Sequence, residues 1–177
     1  PQDVAVILLN YKGSQDTVSC LRSLYSLATP PGAIIVVDNA SPDDSVNRIM
    51  TAWQQWATPY LIHQNSKKEI ESSFTALLLH LNENNGYASG NNAGIRLAQQ
   101  LTSCSAYWIL NNDTEPQLHA LKALCDRYNT SDQDAFIGST LVFSAQPSYI
   151  QCAAGDRVID RLGITIPVCG GMELSRV

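Results

Sequence analysis

The sequence predicts an α/β fold, a mainly parallel sheet flanked by helices on both faces. Two observations carry that expectation. Short aliphatic and β-branched runs alternate with stretches whose apolar residues recur at helical spacing. Each run also stops abruptly in Asn, Asp, Ser or Gly, as strands buried on both faces do when they reach a polar edge. Strand and helix in alternation imply crossover connections of one hand. Residues that follow the strands then share one edge, where open α/β folds bind ligands.

Val4-Ala5-Val6-Ile7-Leu8-Leu9 is the first strand and runs into the loop Asn10-Tyr11-Lys12-Gly13. Val18, Leu21, Leu24, Tyr25 and Ala28 predict a helix that Pro30-Pro31-Gly32 closes. Ile34 to Val37 is a second strand, ending at Asp38-Asn39-Ala40-Ser41. Ser41 as cap, Pro42 after it and Asp44 three residues on predict a helix with Val46, Ile49, Met50, Trp53 and Ala57 inward. Trp53 and Trp56 read as core and rim packing. Residues 59–74 have no clear period and are expected to form an exposed insertion. Ala76 to Leu81 predicts a third strand. The glycine- and asparagine-rich stretch from Asn82 to Gly94 is expected to be a loop whose backbone approaches a ligand closely. A helix carrying Ile95, Ala98 and Leu101 follows. Ala106 to Leu110 predicts a central strand, buried on both faces, that delivers Asn111-Asn112-Asp113. Thr114, with Pro116 in the first turn and Gln117 three residues on, predicts a capped helix presenting Leu118, Leu121, Cys125 and Tyr128. Residues 135–143 predict a further strand, and from Ser144 the pattern dissolves. The expected division is a core over residues 1–143 and a separate segment over 144–177.

Composition narrows the classes. A chain of 177 residues, 45% hydrophobic and 15% charged, has the make-up of an ordinary globular domain. A net charge of −5 argues against nucleic acid as the main partner. An anionic ligand would need local help from a cation, helix N-termini or single basic residues. The longest apolar run is far too short to span a bilayer. Pro1 is not a natural start, so a processed or trimmed chain is expected. The five cysteines, Cys20, Cys104, Cys125, Cys152 and Cys169, are scattered and never form Cys-x-x-Cys. They suggest a reducing compartment and small buried side chains rather than a zinc site.

Asp113 beside Asn111 and Asn112 offers hard oxygen donors at a strand end, which suit a divalent cation, and such a cation suits a diphosphate. The bland alternative is a polar turn. Convergence of that stretch with Asp38 and with Asn84 to Asn92 on one edge favours a ligand site. The first turn holds Gly13 alone, so it is not a dinucleotide fingerprint, and no Gly-Lys-Ser/Thr ending marks a P-loop. A metal-binding receiver domain would want acids where Asn10-Tyr11-Lys12 stand. His63, His80 and His119 are isolated in sequence and read as structural, and Asp156 and Asp160 as turn residues.

Four stretches together resemble the family 2 inverting glycosyltransferases of the GT-A, Rossmann-like fold, and within them the rhamnosyltransferase-like branch. They are Val6 to Tyr11, Val36-Val37-Asp38-Asn39-Ala40-Ser41, Asn85-Gly86-Tyr87-Ala88-Ser89-Gly90-Asn91-Asn92-Ala93-Gly94, and Leu110-Asn111-Asn112-Asp113-Thr114. The resemblance implies transfer of a sugar, with inversion, from a dTDP-, UDP- or GDP-linked donor to a saccharide or lipid-linked acceptor in bacterial polysaccharide or glycoconjugate synthesis. It implies Mg²⁺ or Mn²⁺ on Asp113, with Asn111 where the first acid of an Asp-x-Asp signature usually stands. It places Asp38 against the nucleoside, Asn10 and Tyr11 beside the base, and Asn85, Gly86, Asn92 and Asn112 along the nucleotide-sugar pocket. The general base of the family lies in a later acidic motif, hence beyond Val177 by this resemblance, with residues 144–177 opening the acceptor side. The expected setting is cytoplasmic or peripheral to the inner face of a membrane. The rival expectation is a nucleotide-binding or protein-interaction domain that keeps the fold and lacks transfer.

Overall fold

Five parallel strands form the sheet on which the site rests: β1 Val4–Asn10, β2 Ala33–Asp38, β3 Tyr60–His63, β4 Ala76–His80 and β5 Ala106–Asn111. Their spatial order is β3-β4-β2-β1-β5. The computed structural model describes residues 3–64, 75–130, 136–153, 155–159 and 164–176. Successive strands are laid down to one side of β1, and β5 is then added on its other side. Crossovers of constant hand therefore change faces when the direction reverses. Helices α1, Ser14–Tyr25, and α2, Ser45–Trp53, pack together, and α3, Tyr87–Leu101, packs on β1 and β2. Ile7, Leu9, Ile35, Val37, Leu77 and Leu79 join Ala98 of α3 in one apolar cluster. Val6, Leu8, Val36 and Leu78 alternate with them and are equally buried, toward the opposite face.

Several expectations are corrected. β5 is an edge strand of the described sheet rather than a central one. Leu110 is buried, but Ile109 is 46% exposed. An apolar run reads alike in both positions, because what covers it lies elsewhere in the chain. The stretch at 59–74 contains a strand, β3, whose short run Tyr60-Leu61-Ile62-His63 pairs with β4. The charged part from Lys67 to Ser73 lies outside the described residues. The buried face of α1 is Thr17, Cys20, Leu21 and Leu24, while Tyr25 and Ala28 are exposed. The face is rotated because the Thr17 hydroxyl finds buried partners, so a polar residue can point inward.

Neither predicted cap forms. Helix α2 starts at Ser45, because Ser41 spends its N–H and hydroxyl on Asp38. Helix α4, Ala120–Asn129, starts well after Thr114, whose hydroxyl donates to the Asn111 carbonyl at 2.7 Å and closes a turn. Pro116 also disfavours helical geometry at Glu115. Leu121 of α4 is buried, whereas Tyr128 on the same helix and Leu118 ahead of it are exposed.

The chain divides into two compact units, Pro1–Lys122 and Ala123–Val177, rather than after Phe143. In the second, the strand expected at 135–143 is reduced to β6, Leu141–Phe143, with Ala135 outside the described residues. β6 pairs antiparallel with β7, Gln146–Cys152. β8, Asp156–Ile159, pairs antiparallel with β9, Ile164–Pro167, and a short 3-10 turn covers Leu174–Arg176. The segment after Ser144 thus carries regular pairing, with Asp156 in a strand instead of a turn. Asp160 lies outside the described residues.

The glycines of the asparagine-rich stretch act differently from expectation. Only Gly86 has left-handed backbone, φ 88, while Gly90 and Gly94 lie within α3. A Cβ on Gly94 would sit 2.7 Å from Ile7 Cγ2 and 2.8 Å from Val37 Cγ2. Both neighbours are branched, buried and unable to retreat, so the residue is glycine to let the helix reach the sheet. Gly94→Ala is expected to destabilise the fold by about 1–3 kcal/mol, as overpacking does. Urea unfolding checks this; an unchanged midpoint would mean that α3 lifts off the sheet freely.

Candidate functional site

Strand register brings the polar termini side by side. Asn10 lies opposite Asp38, Asp38 opposite His80, His80 opposite His63, and Leu9 opposite Asn111. Asp38 has no exposed surface. Its carboxylate accepts from Asn10 Nδ2 at 2.6 Å, from the Ser41 hydroxyl at 2.6 Å and from the Ser41 N–H at 3.0 Å. His80 Nδ1 lies 2.9 Å from Asp38 Oδ2, the oxygen that also accepts from the Ser41 N–H, and His63 meets the His80 ring edge-on at 5.6 Å. His63 and His80 are therefore neighbours and not isolated. Asn10 is also fully buried, and its side-chain oxygen accepts from the Thr17 hydroxyl at 2.9 Å. Asp38 and Asn10 thus form the internal frame of the edge. Tyr11, 45% exposed with the Lys12 ammonium 5.1 Å from its ring centre, faces outward.

In the loop before α3, the engaged residue is Asn84. Its side-chain oxygen accepts from Asn39 Nδ2 at 2.8 Å and from the Gly86 N–H at 3.0 Å. Asn85 and Asn92 are exposed. Sequence reasoning singled out Asn85 beside the glycine; the two-residue reach of a side-chain turn would have indicated Asn84. Ser41, Thr17 and His80 were likewise missed as members of the network. Aligning strand ends by position, with Asp38 and His80 each last in its strand, was the available signal.

At the end of β5, Asn112 Nδ2 donates to the Gly13 carbonyl at 3.2 Å and to Thr17 at 3.1 Å. It fastens β5 to the β1 loop, and a Cβ on Gly13 would collide with it at 2.5 Å. Asn111 accepts from the Tyr87 hydroxyl at 2.8 Å. Asp113 is exposed, and among the described residues nothing pairs with its carboxylate. Among those residues no group of three or more His, Cys, Asp or Glu gathers as a cage for a metal ion. One free carboxylate beside an amide oxygen nevertheless fits Mg²⁺ or Mn²⁺, which keep waters and take further oxygens from a phosphate. Beneath this turn Cys20 Sγ lies 4.0 Å from the Asn111 carbonyl, and burial pushes its thiol up to about 11, with the charges of Asp113 and Glu115 adding to the rise. None of the five cysteines forms a disulfide; Cys20 and Cys104 are buried and the other three partly so.

The frame is that of an α/β protein which presents its ligand site outside the carboxyl ends of its strands. More narrowly, the chain belongs to glycosyl transferase family 2, a family of glycosyltransferase enzymes whose sequence profile matches residues 4–151. It is 29% identical over 113 residues to the low-salt glycan biosynthesis hexosyltransferase Agl10 of Haloferax volcanii, covering 64% of this chain and 28% of that protein. Among solved structures it resembles the mannosyltransferase PcManGT of Pyrobaculum calidifontis, in complex with GDP-Man and Mn²⁺, with TM-score 0.56 and 19% identity, covering 80% of this chain and 36% of that one. It also resembles S. aureus TarS, with TM-score 0.50 and 15% identity, covering 78% of this chain and 39% of that one. These structural likenesses establish the GT-A-like fold. The chain spans well under half the length of each relative. Among the described residues no helix is long and apolar enough to cross a membrane.

Two outcomes follow from the geometry. Asp38→Ala strips partners from Asn10, Ser41 and His80, and each orphaned buried group costs about 1–3 kcal/mol. Urea unfolding should therefore show a loss of several kcal/mol, not merely weaker ligand binding. The second outcome concerns alkaline pH. A Cys20 thiol ionises at 9.0 when unfolded but near 11 when folded. Between those values the unfolded state has lost a proton that the native state keeps, so stability falls as pH rises through the window. Cys20→Ala should remove that component, on the order of 2–3 kcal/mol at its upper end. Denaturation curves at both ends of the window measure it.

Proposed function

We propose that this chain is the donor-binding part of a metal-dependent, inverting glycosyltransferase of the rhamnosyltransferase-like branch. Its substrate is a dTDP-, UDP- or GDP-linked sugar and its acceptor a saccharide or lipid-linked hydroxyl. The observation that carries this reading is the exposed Asp113 carboxylate, without a partner among the described residues, at the strand edge that also holds Asn10, Asp38 and Asn111. In this reading Tyr11 lies against the nucleoside base. Asp38 serves the nucleoside by holding Asn10 and the Ser41 turn in place, since its own oxygens are spent inside the protein. Asn85, Gly86 and Asn92 line the sugar side. Asn112 keeps the turn after β5 closed upon Gly13, so that Asp113 is held at a fixed height above the sheet.

Asp113, with Asn111, would hold Mg²⁺ or Mn²⁺, which neutralises the leaving diphosphate when bound. Inversion also requires a base for the acceptor proton, and this reading assigns it to residues outside the described core. The work of the described residues is to bind and orient the donor. The mannosyltransferase likeness with bound GDP-Man and Mn²⁺ supports the donor class and the cation alike.

Calorimetry with UDP, dTDP and GDP tests the reading. One of them should bind more tightly with Mn²⁺ than with EDTA, and Asp113→Ala should abolish the difference while leaving the fold intact. Equal affinities with and without Mn²⁺ in the parent protein would overturn it.

A further inference from the structure

Asn111 presents a chemical problem that an acid at the same position would not. A carboxylate offers oxygen at either end, whereas a carboxamide offers oxygen at one end and an N–H donor at the other. An amide turned the wrong way repels a cation. The structure supplies a restraint from a separate element. Tyr87, the first residue of α3, donates its hydroxyl to Asn111 Oδ1 at 2.8 Å across 24 residues of chain.

Burial does not explain where that phenol sits, since Tyr87 is 56% exposed. Its backbone, by contrast, is tightly placed. Gly86 immediately before it has φ 88, a conformation glycine adopts without strain. The Gly86 N–H donates to Asn84 Oδ1, and Asn39 Nδ2 donates both to Asn84 and, at 3.3 Å, to the Gly86 carbonyl. The β2 end therefore holds the start of α3, and the start of α3 holds the β5 end. A phenol oxygen donates its proton far better than it accepts one, because its lone pair is drawn into the ring. The bond thus favours the amide orientation with oxygen at the contact. Asn111 Oδ1 keeps a second lone pair for another partner.

We propose that Tyr87 is a positioning residue for the cation: by restraining the Asn111 carboxamide it allows an asparagine to stand where a carboxylate is otherwise needed. The inference rests on the donor-site reading above, with Mn²⁺ held at Asp113. It predicts a dependence between two side chains. Tyr87 matters while residue 111 is an amide and becomes dispensable once residue 111 is a symmetric carboxylate.

The experiment measures UDP, dTDP or GDP affinity, whichever binds best, with Mn²⁺ and with EDTA. The proteins compared are the parent, Tyr87→Phe, Asn111→Asp and the double variant. Tyr87→Phe keeps the ring, and circular dichroism verifies its fold. Tyr87→Phe should weaken Mn²⁺-dependent binding on the order of tenfold, as loss of an orienting partner does, with affinity in EDTA unchanged. Adding Asn111→Asp should restore the Mn²⁺ advantage. The proposal is overturned if Tyr87→Phe has no effect, weakens binding equally in EDTA, or costs the same in the Asn111→Asp background. A parent protein that shows no Mn²⁺ advantage overturns the donor-site reading itself. A parent that shows one, lost in Asp113→Ala but untouched in Tyr87→Phe, overturns only the role of Tyr87.

Discussion

A carboxylate removed from water must be given back the hydrogen bonds it has lost, and Asp38 is such a group. Its oxygens are served by Asn10, by two donors of Ser41 and by His80. Those partners come from the ends of the two strands that flank β2 and from the turn after β2 itself. Satisfying one buried charge therefore sets where β1 stops, why Ser41 turns back rather than capping a helix, and how β4 ends. Thr17 extends the same network through Asn10 to α1, and Asn112 extends it through Thr17 to β5. The outward-facing groups, Tyr11, Tyr87 and Asp113, stand on this internal frame.

Asparagine is the recurrent residue of the edge for a related reason. A carboxamide both donates and accepts, so it can join two loops without bringing a charge that needs neutralising. Asn10, Asn39, Asn84 and Asn112 each connect segments that are distant in sequence. Among the described residues the side-chain oxygens of Asn39 and Asn91 are buried without a partner, so the packing beneath the start of α3 is less completely satisfied there than that around Asp38.

The alternation of apolar runs and helical periods made the parallel sheet legible, because the strands β1, β2 and β4 are covered on both faces and leave a strong signal. β3 was hidden by its length and by the polar stretch around it. The edge position of β5 could not be read, since Ala106 to Leu110 has the composition of a covered strand. Asp113, Asn111 and Asp38 were singled out from their places after strands, and the structure sets those strand ends side by side along one edge. Their division into an internal frame and an outward face was not legible, because a buried aspartate and an exposed one are the same letter. Asn84 and Asn85 differ only in which reaches the Gly86 N–H, a matter of one residue of turn geometry. Thr114 and Ser41 both looked like caps. Each hydroxyl was instead claimed by a closer acceptor, the Asn111 carbonyl and the Asp38 carboxylate.

The glycine contacts of α3 also have a mechanical meaning. With Gly94 against Ile7 and Val37, and Gly90 against Leu9, the helix rests on the sheet with no spacing left to compress. It behaves as a strut seated on its bearing and cannot slide or roll without lifting off. Tyr87 rides at the end of that strut. Any clearance needed to admit or release a bulky ligand at this end must come from rotation about side-chain bonds or from the turns at Lys12 and Asp113. The helix is thus the fixed part of this edge.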